Sequence, residues 1–220
     1  VAISQSCDIY FYDIARKVGV DKIAEMAHRF GLGEELHIDM LGERDGLIPT
    51  KAWKLAVQGV PWQLGETYNT GIGQGYVLTT PLQLAVMTAR LANGGKKVSP
   101  RLVRSITGEI LEGAVLPHPE PELENLDLGI SQKALKHVLN GMYKVVNGPR
   151  GSARAAKIRV EGWEMAGKTG TAQVRRITRK ERIEGVRKSD EKPWEERDHA
   201  LFVGYAPYDD PRYAVSVIVE

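Results

Sequence analysis

The chain has 220 residues, with 30 Lys and Arg against 28 Asp and Glu and a formal net charge of +2. This balance argues against a nucleic-acid partner, which usually requires a clear basic excess. No apolar run approaches the roughly 20 residues that a membrane-spanning helix needs, and no signal peptide is visible. The single cysteine, Cys7, excludes an internal disulfide, and the five scattered histidines lack the close spacing of metal ligands.

Apolar periodicity and capping residues predict the helical part of the chain. Asp8 opens the first helix and Gly19 can end it, while Asp21 and Gly31 bound the second. A Thr-Pro pair at 80–81 opens the third, as expected for a helix start. The predicted helices cover residues 8–17, 21–30, 82–93 and 131–146.

Strand patterns follow the last predicted helix. They cover residues 166–174, 200–206 and 213–219, and a compact turn joins the last two. Residues 33–68 are predicted to be irregular, and the glycine-dense stretch 71–75 is predicted to be a turn that leads into the next helix. Residues 175–198 are highly charged, which is typical of a solvated loop between strands; the alternative is a mobile flap over a site. Helices first and an antiparallel meander last predict an α+β fold.

Two short motifs carry side chains that are suited to nucleophilic chemistry. The first is Ser-Cys-Asp at residues 6–8, at the entrance of a predicted helix. The second is Lys-Thr-Gly-Thr at residues 168–171, within a predicted strand. Taken singly, each has an ordinary structural explanation. Ser and Asp before a helix cap its free N–H groups, and Lys-Thr-Gly in a strand can form a bulge with an exposed lysine.

Together, in this order, the two motifs resemble the penicillin-binding proteins. Ser-x-x-Lys, Ser-Asp-Asn and Lys-Thr-Gly are the motif set of that family and of class A β-lactamases. The chain resembles a class B transpeptidase, and its Ser-x-Asp is similar to that of the elongation-type branch, penicillin-binding protein two. The resemblance implies the penicillin-recognition fold, an antiparallel sheet with helices. Supporting stretches are Gly-Ile-Gly-Gln-Gly-Tyr at 71–76, Thr-Pro-Leu-Gln at 80–83, Ala-Gly-Lys-Thr-Gly-Thr-Ala-Gln at 166–173 and Phe-Val-Gly-Tyr-Ala-Pro at 202–207.

The resemblance implies an enzyme that cleaves a D-Ala-D-Ala peptide bond through an acyl-serine and passes the acyl group to an amine. Ser6 would relay a proton to the leaving amine, beside the fixed positive charge of Lys168. Thr169 and Thr171 would donate hydrogen bonds to the terminal carboxylate of the substrate, and the backbone N–H of Thr171 would serve the oxyanion hole. Gly170 would let an extended substrate lie close to the strand edge.

Asp8 departs from the general Ser-x-Asn pattern. An ionised Asp accepts hydrogen bonds but does not donate them, so its implied role is to hold the lysine of a Ser-x-x-Lys motif. In this family that motif precedes the position of Ser6, where this sequence does not supply it. The literal match at 189–192 follows Lys168 and lies in the charged segment, so we reject its serine as the nucleophile. We expect residues 1–220 to be a partial, inactive transpeptidase domain without the Ser-x-x-Lys segment, the N-terminal strands and the C-terminal helix.

The same resemblance implies a periplasmic domain that is anchored to the inner membrane in the parent protein. Its substrate would be peptidoglycan stem peptides ending in D-Ala-D-Ala, and β-lactams, which mimic the acyl donor, would inhibit it. Its partner would be a membrane glycosyltransferase of the cell-elongation machinery. No metal and no organic cofactor is implied.

Three alternatives remain open at the level of sequence. Residues 162–169 match the P-loop pattern literally, but a P-loop must open a helix, and the residues that follow have no helical apolar stripe. A penicillin-recognition domain kept as a non-catalytic scaffold or sensor is the second. A serine β-lactamase is the third, and the Gly-Gln-Gly-Tyr stretch favours a transpeptidase over it.

Overall fold

A computed structural model describes residues 1–38, 40–102, 126–175, 179–185 and 191–220. Within these ranges the chain forms seven α-helices and three β-strands, in an order that confirms the predicted α+β class. Short 3-10 turns lie at Arg154–Ala156 and Trp194–Glu196. The elements are α1 Asp8–Val18, α2 Val20–Arg29, α3 Lys51–Gln58, α4 Leu64–Gly71, α5 Pro81–Ala92, α6 Gln132–Asn147, β1 Ala166–Ala172, α7 Arg179–Glu184, β2 His199–Ala206 and β3 Tyr213–Val219.

The three strands form one antiparallel sheet in the order β1-β2-β3. Lys168 of β1 lies opposite Val203 of β2, which lies opposite Ser216 of β3. Helix α6 packs on β1, and α5 packs on β2 and β3. Their shared core contains three buried residues, Met142, Ala166 and Tyr205. Helices α1, α2 and α4 pack together.

The predicted helices and strands are confirmed with small shifts at their ends, but the prediction of an irregular segment over 33–68 is wrong. That segment contains α3 and the start of α4. Helix α3 begins after Thr50, whose hydroxyl accepts a hydrogen bond from Trp53 N at 3.0 Å. Helix α4 has no continuous apolar stripe; its first turn is held instead by Glu66, whose carboxylate accepts from Gln63 N at 2.6 Å. Polar capping therefore stabilises α4, which lacks the apolar periodicity from which other helices were predicted.

The charged segment 175–198 is partly described. It contains α7, and Arg175 forms ion pairs with Glu181 and Glu196. Ser189 lies outside the described residues. Lys192, the other end of the literal Ser-x-x-Lys match, is buried, with its ammonium 3.8 Å from the Asp198 carboxylate. Among the described helices, none is long and apolar enough to cross a bilayer.

Helix α5 anchors a distant loop through a buried glutamine. Thr80 is the N-cap that the Thr-Pro pair predicts, and it forms a reciprocal capping box with Gln83. Gln83 is fully buried, and its amide donates to the carbonyls of Glu34 and Asp45 at 2.8 Å each. Because both bonds cross from α5 to the 34–45 loop, one side chain caps the helix and fixes the loop.

Gly167 lets a phenylalanine ring lie directly on β1. A Cβ built on Gly167 would lie 2.6 Å from the Val203 carbonyl oxygen and would also collide with the Phe202 ring. Phe202 in turn packs against the buried residues Val145, Val146 and Ala153. The absence of a side chain at 167 therefore sets the position of the strand that carries Lys168.

Gly167→Ala is expected to destabilise the protein by about 1–3 kcal/mol, the usual cost of overpacking a core. The change in the free energy of unfolding is measured by urea denaturation. Gly65→Ala is the matched control, since nothing lies within 4 Å of a Cβ built there and the position is helical. That change is expected to be neutral or to stabilise by up to about 1 kcal/mol. Equal stability of the two variants would contradict the assigned role of Gly167.

Candidate active site

Ser6 lies at the end of a tight N-terminal turn. Gln5 N donates to the Val1 carbonyl at 3.1 Å, and Cys7 N donates to the Ala2 carbonyl at 3.0 Å, just before α1 begins. Ser6 itself has a φ of +49°, in the left-handed region that side-chain-bearing residues rarely adopt. The turn therefore holds Ser6 in an unusual backbone conformation, with its side chain exposed.

Lys168 of β1 reaches that hydroxyl. Its Nζ donates to Ser6 Oγ at 2.6 Å, across 162 residues of sequence, and to the Thr169 carbonyl at 2.7 Å. Burial lowers the pKa of Lys168 below its ordinary value, and the negative charge of Asp8 opposes part of that change. The two motifs singled out in the sequence thus meet at one hydrogen bond.

Asp8 contributes through charge. It is exposed at the first position of α1, and it favours the protonated form of Lys168. Whether it also holds the lysine of a Ser-x-x-Lys motif stays a prediction.

Asp8→Asn is expected to lower the pKa of Lys168 further, because the change removes a charge that raises it while the burial remains. The measurement is the pH dependence of Lys168 labelling by an amine-reactive reagent, read peptide by peptide by mass spectrometry. The labelling midpoint should move to lower pH. Asp13→Asn is the control: it removes an equal charge from α1, where Asp13 pairs with Arg16 and Lys17. A midpoint that stays in place or rises in Asp8→Asn would count against the electrostatic coupling.

The outer edge of β1 pairs with no other strand in the described sheet and is called its open edge here. The carbonyl of Thr169 accepts from Lys168 Nζ, and that of Thr171 accepts from Gln74 Nε2 at 2.8 Å. In an antiparallel pair, a residue that turns its carbonyl away from the partner strand turns its N–H away too. The N–H groups of Thr169 and Thr171 therefore face the same open edge.

Gly170 has a packing reason as well as the predicted one. A Cβ built there would lie 3.3 Å from Leu201 Cβ, across the strand pair rather than at the open edge. The close approach of Leu201 therefore favours glycine at position 170 independently of the role expected for Gly170 in substrate binding.

Two contacts to β1 were missed by sequence reasoning. Ser152 Oγ lies 3.0 Å from Thr169 Oγ1, and Gln74 is bonded to Thr171 as described above. Gln74 stands in the glycine-dense stretch, which forms the predicted turn after α4, with Gly73 and Gly75 at positive φ. Nothing in the sequence indicates the partner of Ser152, because the pairing depends on how the loop after α6 folds back.

The P-loop alternative does not fit the structure. Such a motif requires a helix whose N-terminal N–H groups cradle phosphate. The residues that end the literal match instead enter strand β1, Ala166–Ala172. The motif therefore runs directly into a strand and does not open a helix, so that interpretation is wrong.

The chain is similar to known transpeptidases. It matches the penicillin binding protein transpeptidase domain over residues 1–220. It is 38% identical over 221 residues to the peptidoglycan D,D-transpeptidase MrdA of Haemophilus influenzae, covering 100% of this chain and 32% of that protein. PBP2 of Pseudomonas aeruginosa in complex with WCK 5153 is 41% identical with a TM-score of 0.79, covering 100% of this chain and 43% of that one. PBP2 of Helicobacter pylori in complex with MreC is 29% identical with a TM-score of 0.79, covering 100% and 35%.

These similarities confirm the resemblance and the penicillin-recognition fold expected from the motifs. The chain spans about a third of the length of the curated relatives it matches. Since the family match extends over all 220 residues, the chain belongs to the penicillin-binding protein transpeptidase domain family.

Proposed function

We propose that the protein containing this chain is a peptidoglycan D,D-transpeptidase of the elongation type and a target of β-lactams. The observation that carries the proposal is the hydrogen bond from Lys168 Nζ to Ser6 Oγ, at 2.6 Å. A lysine with a lowered pKa beside a serine hydroxyl is the arrangement that a proton relay needs. The similarity to MrdA and PBP2 supports the same activity.

The proposed reaction has two acyl transfers. An attacking serine, from a Ser-x-x-Lys segment outside the 220 residues, adds to the carbonyl of the penultimate D-Ala. The C–N bond breaks, and the proton that the attacking serine gives up reaches the leaving D-Ala amine through Ser6, whose hydroxyl Lys168 orients. In the second transfer an acceptor amine attacks the acyl-serine, a new amide bond forms and the ester C–O bond breaks. The proton that the acceptor amine loses returns along the same path to the serine oxygen. Each step keeps the number of protons balanced.

The open edge of β1 is the proposed acyl-donor site. An extended stem peptide adds there as a strand, with backbone hydrogen bonds to Thr171. The N–H of Thr171 stabilises the oxyanion, and the hydroxyls of Thr169 and Thr171 bind the terminal carboxylate beside the Lys168 charge. Gly170 keeps that part of the strand free of a side chain. No step in this scheme is assigned to a metal or an organic cofactor.

The cellular setting is part of the proposal. We place the domain in the periplasm, anchored to the inner membrane by another part of the protein, in partnership with a membrane glycosyltransferase. The Helicobacter pylori relative was solved in complex with MreC, which supports work within an assembly.

The test is covalent labelling of the full-length protein by a fluorescent penicillin, followed by peptide mapping. One adduct is expected, on the serine of a Ser-x-x-Lys segment outside residues 1–220, and replacing that serine with alanine should abolish it. An adduct on Ser189, or on any residue of this chain, would refute the assignment. Binding of penicillin without a covalent adduct would favour the scaffold or sensor function instead.

A further inference from the structure

Ser152 contacts both the strand that carries Lys168 and the turn that carries Ser6. It lies in the short loop between α6 and the Arg154–Ala156 turn, and its hydroxyl oxygen is 3.0 Å from that of Thr169. Its backbone N–H donates to the Ser4 carbonyl at 3.2 Å, two residues before Ser6. One residue is thus bonded both to the strand of Lys168 and to the turn that presents Ser6.

The loop fixes Ser152 firmly although its side chain is exposed. Ala153 N donates to the Val145 carbonyl at 3.0 Å, and Gly151 N donates to the Gly148 carbonyl at 3.2 Å. A Cβ built on Gly151 would lie 2.5 Å from the Lys144 carbonyl oxygen, so the chain passes this helix end too closely for a side chain. Val145 and Ala153 are themselves buried in the adjoining core. The Ser152 hydroxyl is therefore carried by a rigid support rather than by a free loop.

A carboxylate at Thr169 sets the direction of this hydrogen bond. Either hydroxyl can donate while the site is empty, because each has one proton and two lone pairs. A carboxylate only accepts, so the Thr169 O–H must turn to it. The Thr169 oxygen then has a free lone pair facing Ser152, and the Ser152 O–H donates into it. Donation in one direction along a chain strengthens each bond.

We infer that Ser152 is a positioning residue, which orients and polarises the Thr169 hydroxyl for the terminal carboxylate of the acyl donor. The inference rests on the proposed function, since it needs a ligand whose carboxylate reaches Thr169. It assigns Ser152 no contact with the reacting bond. Its effect should therefore depend on the carboxylate of the ligand and not on the attack on the carbonyl.

The test compares benzylpenicillin with its methyl ester on the full-length protein, using the second-order rate constant of acylation from competition with a fluorescent penicillin. Ser152→Ala is expected to slow acylation by benzylpenicillin about tenfold, the size expected for losing one hydrogen bond to a charged system. With the methyl ester the same variant should change the rate by less than about twofold. Ser152→Thr keeps the hydroxyl, has room for its methyl group because the side chain is exposed, and should restore the rate.

A second background separates positioning from general damage. Thr169→Val removes the hydroxyl that Ser152 contacts. Adding Ser152→Ala to this variant should therefore slow acylation by benzylpenicillin by less than a further factor of about two. Equal losses for acid and ester, full additivity in the Thr169→Val background, or an unchanged rate in Ser152→Ala would each overturn the inference. If Ser152→Ala lowers stability, the ratio of its acylation rates with benzylpenicillin and with the methyl ester still measures the effect of the lost hydroxyl, because both rates come from the same variant. A wild-type protein that no penicillin acylates would instead refute the proposed function, and the inference would fall with it.

Discussion

Replacing Lys168 with alanine is expected to reduce the rate of β-lactam acylation by at least about 100-fold, the usual loss when a preorganised electrostatic group is removed from an acyl-transfer site. Lys168 orients the Ser6 hydroxyl at 2.6 Å and contributes positive charge beside the proposed carboxylate site. Alanine removes both effects. The measurement is the second-order rate constant of acylation by benzylpenicillin in the full-length protein.

The fold is not expected to suffer from this change, because the burial that lowers the pKa of Lys168 also opposes its charged form. Thermal unfolding checks this point. Lys157→Ala removes an exposed lysine from the loop before β1 and is the matched control, with an unchanged rate. Acylation of Lys168→Ala at the wild-type rate would remove Lys168 from the proposed mechanism.

Replacing Lys54 with methionine is expected to destabilise the protein by about 3–5 kcal/mol, the cost of breaking a buried ion pair. Lys54 is 4% exposed, and its ammonium bonds to the Glu66 carboxylate and to the Pro61 carbonyl at 3.1 Å. Methionine fills similar space but leaves the Glu66 charge largely buried without its cation. Chemical denaturation at neutral pH measures the loss.

Acid should remove the same contribution from the wild type. Burial alone would raise the pKa of Glu66, but bonds from Lys54, Gln63 and Tyr76 hold it below its ordinary value of 4.5. The stabilisation is therefore complete above that value and is lost as the pH falls through the lowered pKa of the folded state. In Lys54→Met the stability should depend less on pH in this range.

Two variants complete the comparison. Lys17→Met breaks an exposed pair with Asp13 and should cost no more than about 1 kcal/mol. Lys54→Met combined with Glu66→Gln removes both charges, while the glutamine amide oxygen can still accept from Gln63 N at the start of α4. This double variant should recover part of the stability that the single change loses. If the double variant were less stable than Lys54→Met alone, the buried charge would not be the cause.

Sequence reasoning succeeds here where local rules decide the structure. The helices α1, α2, α5 and α6 have an apolar period and were predicted, and Thr80 and Ser131 cap the starts of α5 and α6. The start predicted for α2 at Asp21 is wrong, because Gly19 is the N-cap and Asp21 lies inside the helix. Helix α4 was not, because its stability depends on Glu66, which caps its first turn and pairs with Lys54 twelve residues earlier. That pairing is a tertiary contact that no local pattern reveals.

The candidate site divides in the same way. Ser6 and Lys168 were found through motifs whose order and spacing resemble a family. Ser152 and Gln74 were missed, because their contacts to β1 join residues 17 and 97 positions apart through loops. The sequence motifs identify the groups to which the proposed chemistry is assigned, whereas the supporting hydrogen bonds follow from how the loops are folded.

The left-handed backbone conformation of Ser6 lowers the stability of the turn, whereas the side chain at this position supplies the hydroxyl of the proposed chemistry. A side chain at such a φ costs on the order of 1 kcal/mol, which glycine would not incur. Ser6→Gly would therefore relax the turn while deleting the hydroxyl of the proposed proton relay. A selection for thermal stability alone would favour that loss, and a selection for the proposed acyl transfer would retain the serine.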